Sequence, residues 1–253
     1  ATNSVGNSLA SSATTALIPQ GTASAPTTIS ATAGDTKATV TFSGAVTNGS
    51  TITGYTVQAY DSNGNAVSGS TCTVTTSTGG GSCEITGLAN GSSYTFKAIT
   101  NSTANGSAVT SSLSNPTSSI MPASTPDAPT SLEVTSGTGK VTVSWSEPSA
   151  NGSVILSYTV QAYDTDGNAV IGATCTAIAP ELTCDVSSNL VAGNNYTFKV
   201  TATNIAGTSS PSTASSEAAI IAAPSVPINV TAVASNSAAT VSWDVPISSN
   251  GSA

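Results

Sequence analysis

The chain contains no histidine and no arginine, and its only basic side chains are Lys37, Lys97, Lys140 and Lys199. Those absences close most routes to catalysis. Without imidazole there is no Ser–His pair and no base titrating near neutrality, and without guanidinium there is no bidentate clamp for a carboxylate or phosphate. A serine–lysine pair needs a buried lysine, yet Lys97 and Lys199 each follow an apolar phenylalanine in an alternating run, which turns them to solvent. Enzymatic activity is therefore not expected, nor is a cofactor. The 4 Lys+Arg stand against 12 Asp+Glu, a net charge of −8. The basic stripe that nucleic acid requires is missing as well. No run approaches the roughly 20 apolar residues of a membrane span. No basic-then-apolar leader opens the sequence, so any export signal is expected upstream or already removed.

Cysteine is scarce and symmetric: Cys72 and Cys83, then Cys175 and Cys184. Neither pair has the C-x-x-C spacing, and no histidine exists to complete a mixed zinc site, so zinc needs all four thiols to converge from two distant places. Two local disulfides, Cys72–Cys83 and Cys175–Cys184, are the simpler expectation, and they place the protein in an oxidising, extracellular compartment. A bridge between the pairs would need Cα atoms within about 7 Å of each other across a domain length.

What the chain has in abundance is Ser, Thr, Gly, Asn, Ala and Val, with only 6% charged residues. Val, Ile and Thr recur in alternation, which suits short half-buried strands better than disorder. The stretch Ala59-Tyr60-Asp61-Ser62-Asn63-Gly64-Asn65-Ala66-Val67 returns as Ala162-Tyr163-Asp164-Thr165-Asp166-Gly167-Asn168-Ala169-Val170, an offset of 103 that also carries Pro26 to Pro129, Phe42 to Trp145 and Tyr55 to Tyr158. A third copy starts at Pro227 and reaches Trp243, and Ala1–Gly6 matches Ala202–Gly207. Such self-similarity decides the architecture. The expected division is 1–22 as the closing strand region of a preceding repeat, complete repeats at 24–122 and 125–224, and 225–253 as the opening strands of a following one.

Within each unit the period is 2. Val40 and Phe42, Tyr55, Val57 and Ala59, and Tyr94, Phe96 and Ala98 form inward sets, matched by Val141, Val143 and Trp145, Tyr158, Val160 and Ala162, and Tyr196, Phe198 and Val200. Gly, Asn and Pro clusters separate the runs, and no segment carries a helical apolar stripe. About seven strands in about a hundred residues predict an all-β, antiparallel two-sheet sandwich. Pro129, Trp145, Tyr158-Thr159-Val160 and Leu190 six before Tyr196 resemble the fibronectin type III pattern, as do Pro26, Tyr55-Thr56-Val57 and Leu88 before Tyr94, and Asn204–Thr208 resembles its closing turn. That resemblance implies tandem immunoglobulin-like sandwiches of a secreted or surface protein, of a bacterial type here. It also implies a tyrosine corner at Tyr94 and Tyr196, with the phenol bonded to backbone just upstream. The cysteine pairs are not part of the usual pattern in animal members.

Few other side chains invite a functional reading. Asp164-x-Asp166-Gly167-Asn168 resembles part of a calcium loop but lacks the later glutamate, and its counterpart at Asp61 has Asn63 for the second carboxylate, so a hairpin turn is the simpler reading. Tyr60 and Tyr163 have outward parity and are candidate surface contacts, for a polysaccharide or a cell surface, although packing across neighbouring strands is the plainer use. The apolar pairs Leu17-Ile18, Ile120-Met121 and Ile220-Ile221 near prolines are expected to pack at repeat junctions and stiffen an extended array. The two incomplete ends expose sheet edges, so their order is expected to come from further chain or lateral neighbours that cover Leu17, Ile18, Val230 and Trp243. The function expected is a structural or adhesive surface element, a filament, sheath or layer in which copies associate. The competing readings are a spacer in a secreted polysaccharide-degrading enzyme and a decoration on a virus particle.

Overall fold

Alternating apolar and polar residues turn into strand after strand, and the described residues, 1–250 of the computed structural model, contain no helix. By internal contacts the chain divides into two compact units, Ala1–Met121 and Pro122–Ala253.

The first unit opens with a hairpin, β1 (Thr2–Asn3) and β2 (Gly6–Asn7). Its sandwich follows: β3 (Thr28–Gly34), β4 (Lys37–Ser43), β5 (Thr51–Tyr60), β6 (Ala66–Thr75), β7 (Gly81–Thr86), β8 (Thr95–Ala104) and β9 (Ser107–Thr110). One sheet has the order β3-β4-β7 and the other β6-β5-β8-β9, all antiparallel. The β8–β9 turn, Asn105-Gly106, holds φ of 51° and 77°, the left-handed pair that a two-residue hairpin demands. The second unit repeats the plan with β10 (Thr130–Gly137), β11 (Lys140–Ser146), β12 (Ser157–Tyr163), β13 (Ala169–Ile178), β14 (Thr183–Val186), β15 (Asn195–Asn204), β16 (Gly207–Thr208) and β17 (Ala218–Ala219). Its sheets are β10-β11-β14 and β13-β12-β15-β16, with β17 also on β15. A hairpin of β18 (Ile228–Ser235) and β19 (Ala238–Asp244) ends the described chain.

The inward sets meet between the sheets. Val40, Phe42, Tyr55, Val57, Ala59, Phe96 and Ala98 are fully or almost fully buried, as are Val141, Val143, Tyr158, Val160, Ala162, Phe198 and Val200. The ring pairs Phe42–Tyr55 and Trp145–Tyr158 pack tilted, with centroids 4.7 and 5.2 Å apart. The tyrosine corners are present: the Tyr94 hydroxyl accepts the Ala89 N–H at 3.1 Å and the Tyr196 hydroxyl accepts the Val191 N–H at 2.9 Å.

Beyond β9 and β16 the last edge is closed in an unusual way. Ser111, Ser114 and Thr117 each donate their N–H to a carbonyl of β8, at Thr100, Ala98 and Phe96. Their hydroxyls in turn accept the N–H of those same three residues at 2.9, 3.0 and 3.1 Å. Ser209, Ser212 and Ser215 do the same against Ala202, Val200 and Phe198. The closing segment therefore advances three residues for every two of its partner strand, with side-chain oxygens standing where backbone carbonyls would in a regular ladder. Ile120 and Ala218 take the next step, pairing with Tyr94 and Tyr196.

The apolar pairs are placed by that step and by the segments around it. Ile120 and Ile220 belong to the closing segments of their own sandwiches: Ile120 packs on the first core, and Ile220, 4% exposed, lies in the second. Ile221 bridges in parallel to Thr138 of the same unit, while Met121 points to solvent. Leu17 and Ile18 are 89% and 75% exposed, because they precede the point where Gly21 and Ser24 dock on the loop after β4. Val230 and Trp243 are also mainly exposed, at 61% and 60%, although β18 and β19 are regularly paired. Each end carries a local hairpin ladder, β1–β2 at one and β18–β19 at the other. The second hairpin even repeats the bulge of β10–β11, with Asn229 at φ 54° where Ser131 has 53°.

The buried Trp145 Nε1 has no hydrogen-bond partner among the described residues. The first repeat fills the same position with Phe42. Trp145→Phe removes an unsatisfied donor along with some volume, and its cost is expected below about 1.5 kcal/mol, against about 3–5 kcal/mol for Trp145→Ala. Chemical denaturation of the two variants checks this, and equal losses would contradict it.

Candidate functional surface

The cysteines pair as expected within each repeat, Cys72–Cys83 and Cys175–Cys184, with Cα atoms 6.2 and 6.1 Å apart. Their placement carries more than their spacing did. Cys72 lies on β6, an edge of one sheet, and Cys83 on β7, the facing edge of the other. Cys175 on β13 and Cys184 on β14 repeat this. Each disulfide therefore ties the two sheets together along one side of the sandwich, while the hydroxyl ladder closes the other. No cysteine is free.

All four lysines are engaged. Lys37 pairs with Glu84 at 2.8 Å and Lys140 with Asp185 at 2.5 Å, each across one outer sheet face. The Glu84 carboxylate raises the Lys37 pKa, and the Lys140 ammonium, with Thr142, lowers that of Asp185. Both pairs are half exposed and so contribute little to stability. On the opposite sheet, Lys97 lies over the Tyr60 ring and Lys199 over Tyr163, with Nζ 4.7 Å from the centroid in both. Lys97 and Lys199 do face outward, as the alternation implied, but the ring contacts were not foreseen. The signal lay in the register: Lys97 sits opposite Gln58, one step from Tyr60 on the same face. Tyr60 and Tyr163 are half-buried, each with a lysine ammonium over one ring face.

In the hairpin between β5 and β6, Asp61 Oδ1 accepts the Asn63 and Asn65 N–H at 2.9 and 2.8 Å. Asp164 Oδ1 accepts those of Asp166 and Asn168 at 3.0 and 2.8 Å. Both are side-chain-closed turns. The Asn65 backbone N–H, first among several turn contacts, holds the Asp61 carboxyl below its usual range. Asp164 thus spends an oxygen on its own turn, as Asp61 does in the first repeat. Among the described residues no group of three or more His, Cys, Asp or Glu side chains is placed to hold a metal. No described helix is long and apolar enough to cross a membrane.

A third repeated constellation was not legible beforehand. Asn48, Asn151 and Asn250, each at positive φ, donate their side-chain amides to the carbonyls of Thr22, Thr125 and Ala223, at 2.9, 3.0 and 2.6 Å. They clamp the incoming segment of each repeat to the loop after its second strand. Asn48 and Asn151 head Asn-Gly-Ser sequons, so these sequons serve a structural purpose.

Matches to known proteins follow the same repeats. The fibronectin type III domain family matches residues 24–117 and 127–218, which is most of the chain, and the chain belongs to that family. Among solved structures it is similar to the FN1–FN3 domains of chicken CNTN1, at 20% identity over 87% of this chain and 75% of that one, with a TM-score of 0.37. A search of curated protein sequences gave no match.

Each disulfide closes a loop of about ten residues and joins two sheets. Replacing Cys72 and Cys83 by serine is expected to cost about 2–3 kcal/mol through the entropy of the unfolded chain. A thermal melt of the first unit's signals measures it. A change too small to detect would show that the sheets need no staple.

Proposed function

We propose that the chain is a stretch of an extracellular, non-catalytic structural or adhesive protein, built into a surface filament, sheath or layer with neighbouring copies of itself. The repeats at 24–122 and 125–224 are its complete units, and residues 1–22 and 225–253 belong to flanking repeats of the same kind. The observation that carries this reading is the twofold recurrence of one reinforced sandwich. In both copies a disulfide joins the sheets on one side, a hydroxyl ladder seals the other, and every lysine sits in a strand beside a carboxylate or a tyrosine ring. What recurs is scaffold, whereas a catalytic or ligand-gripping unit would repeat a cleft armed with titratable groups. Disulfides persist outside reducing compartments, which supports secretion. Sparse, occupied lysines leave little for trypsin-like proteases, a property that suits exposed material.

Immunogold labelling of native cells with an antibody to this chain tests the proposal. Label along filaments, a sheath or a surface layer is the expected result. Label confined to soluble protein that co-purifies with polysaccharide-degrading activity would overturn it in favour of an enzyme spacer.

A further inference from the structure

The phase of the hydrogen bonds decides which residues of an outermost strand turn their backbone groups away from the sheet. β6 and β13 are outermost strands, each paired on one side only. The Thr76 N–H donates to the Thr53 carbonyl at 3.3 Å, next to the pair Gly54–Thr75. That sets the phase: Cys72 and Val74 bond to β5, while Thr71, Thr73 and Thr75 point their N–H and C=O outward. In the second repeat the Ala179 N–H donates to the Leu156 carbonyl at 3.1 Å, next to the pair Ser157–Ile178. The outward residues there are Thr174, Thr176 and Ile178. All six are exposed, and among the described residues nothing bonds to their outward backbone groups. The first half of each strand is guarded instead. It bulges around Gly69 or Gly172, both at φ 76°. The Gln58 side-chain amide takes the Val67 and Ser70 carbonyls there, as Gln161 takes those of Val170 and Ala173.

We infer that the open half-strands, 71–75 and 174–178, are docking edges for the same half-strands of a second copy of this chain, added antiparallel to extend the sheet. The inference rests on the reading that copies associate, and it names the surface by which they do so. A strand that pairs with its own copy about a twofold axis must present matching groups on both sides of its centre. With Thr73 opposite Thr73 of the copy, Thr71 faces Thr75 and Cys72 faces Val74. The three threonine pairs are those whose outward groups meet, which gives about six N–H···O=C bonds. Threonine opposite threonine is also a favourable side-chain pair. A centre at Thr176 sets Thr174 against Ile178 and Cys175 against Ala177, with the same phase, so β6 of one copy fits β13 of another equally well. Charge selects the occupant. The chain carries −8, yet β5, β6, β12 and β13 hold no charged residue. Glu84 and Asp185, on the edges of the facing sheets, are each paired with a lysine. A copy of the chain therefore meets no like charge from these strands, and the lysine, proline or bulge that guards an edge is missing from both half-strands. By contrast β10 carries Glu133 and a bulge, so the edge at β3 does not recur in the second repeat. Two such edges per chain extend association beyond a pair.

Sedimentation of the full chain over a concentration series, with residue-resolved amide exchange, tests the pairing. The average mass is expected to rise with concentration. The amides of Thr71, Thr73, Thr75, Thr174, Thr176 and Ile178 should slow by about tenfold or more as it does, while those of Cys72 and Cys175, already bonded within the sheet, should not change. Thr73→Lys with Thr176→Lys sets like charges face to face and should weaken association by about tenfold or more, as should Thr73→Glu with Thr176→Glu. Mixing the lysine and glutamate variants should restore it. Both positions are exposed, so the thermal melts of the variants should match the parent's. A chain that stays monomeric up to about 1 mM would overturn the inference, while the place of the protein on the cell is decided separately by the labelling experiment. Association that the lysine variants leave unchanged would overturn the assigned edge and leave self-association standing. Protection of the six amides only when a different protein is added would overturn the assigned occupant.

Discussion

Everything in this fold depends on how the last strand edge is sealed. A β-sandwich whose final strand is absent leaves every second N–H and C=O of its neighbour unpaired, at about 1–3 kcal/mol for each group that is also buried. Here the seal is made by Ser and Thr at every third position, each giving a backbone donor and a side-chain acceptor to one residue of the partner strand. The hydroxyl hydrogens are used as well. Those of Ser111, Ser114, Ser209, Ser212 and Ser215 donate to the following carbonyl, so each group bonds both ways. A hydroxyl needs little room and has little apolar surface to bury, which suits a chain poor in large side chains.

The opposite side of each sandwich shows the same economy. The core holds a few aromatics and many Val and Ala, so burial alone stabilises each repeat modestly. A cross-sheet disulfide between strands at two sheet edges limits how far the sheets can separate in the unfolded chain and fixes their facing in the native one. The disulfide fixes two edge strands against each other without pairing their backbones, while the hydroxyls and amides of the closing segment pair the outward groups of β8 and β15. Asn204 shows how finely the polar parts are fitted: its amide reaches three carbonyls, whereas the shorter Ser102 at the matching place in the first repeat leaves its buried Oγ without a partner among the described residues.

Much of this was legible from residue order. The period-2 runs placed Tyr55, Val57, Phe96, Tyr158, Val160 and Phe198 in the cores, the offset of 103 aligned the repeats, and the two cysteine spacings implied local bridges. What order alone did not convey were relations across space. That Cys72 and Cys83 sit on different sheets follows from which strand pairs with which, a long-range choice that local spacing does not encode. The lysine–tyrosine contacts depend on register between β5 and β8. The closing segments were missed because their period is 3, which reads neither as strand nor as helix, and because Ser and Thr are so common here that regular placement hides among irregular copies. For the same reason Ile120 and Ile220 read as junction residues when each completes its own sandwich.

Residue-resolved amide hydrogen exchange on the intact chain tests the sealing ladder most directly. The account predicts that the N–H groups of Phe96, Ala98, Thr100, Phe198, Val200 and Ala202, whose acceptors are side-chain hydroxyls, exchange as slowly as those of Val57 and Val160 in the central strands. Exchange of those six at the rate of an exposed loop would show that the hydroxyls do not hold the edge, and would contradict the account.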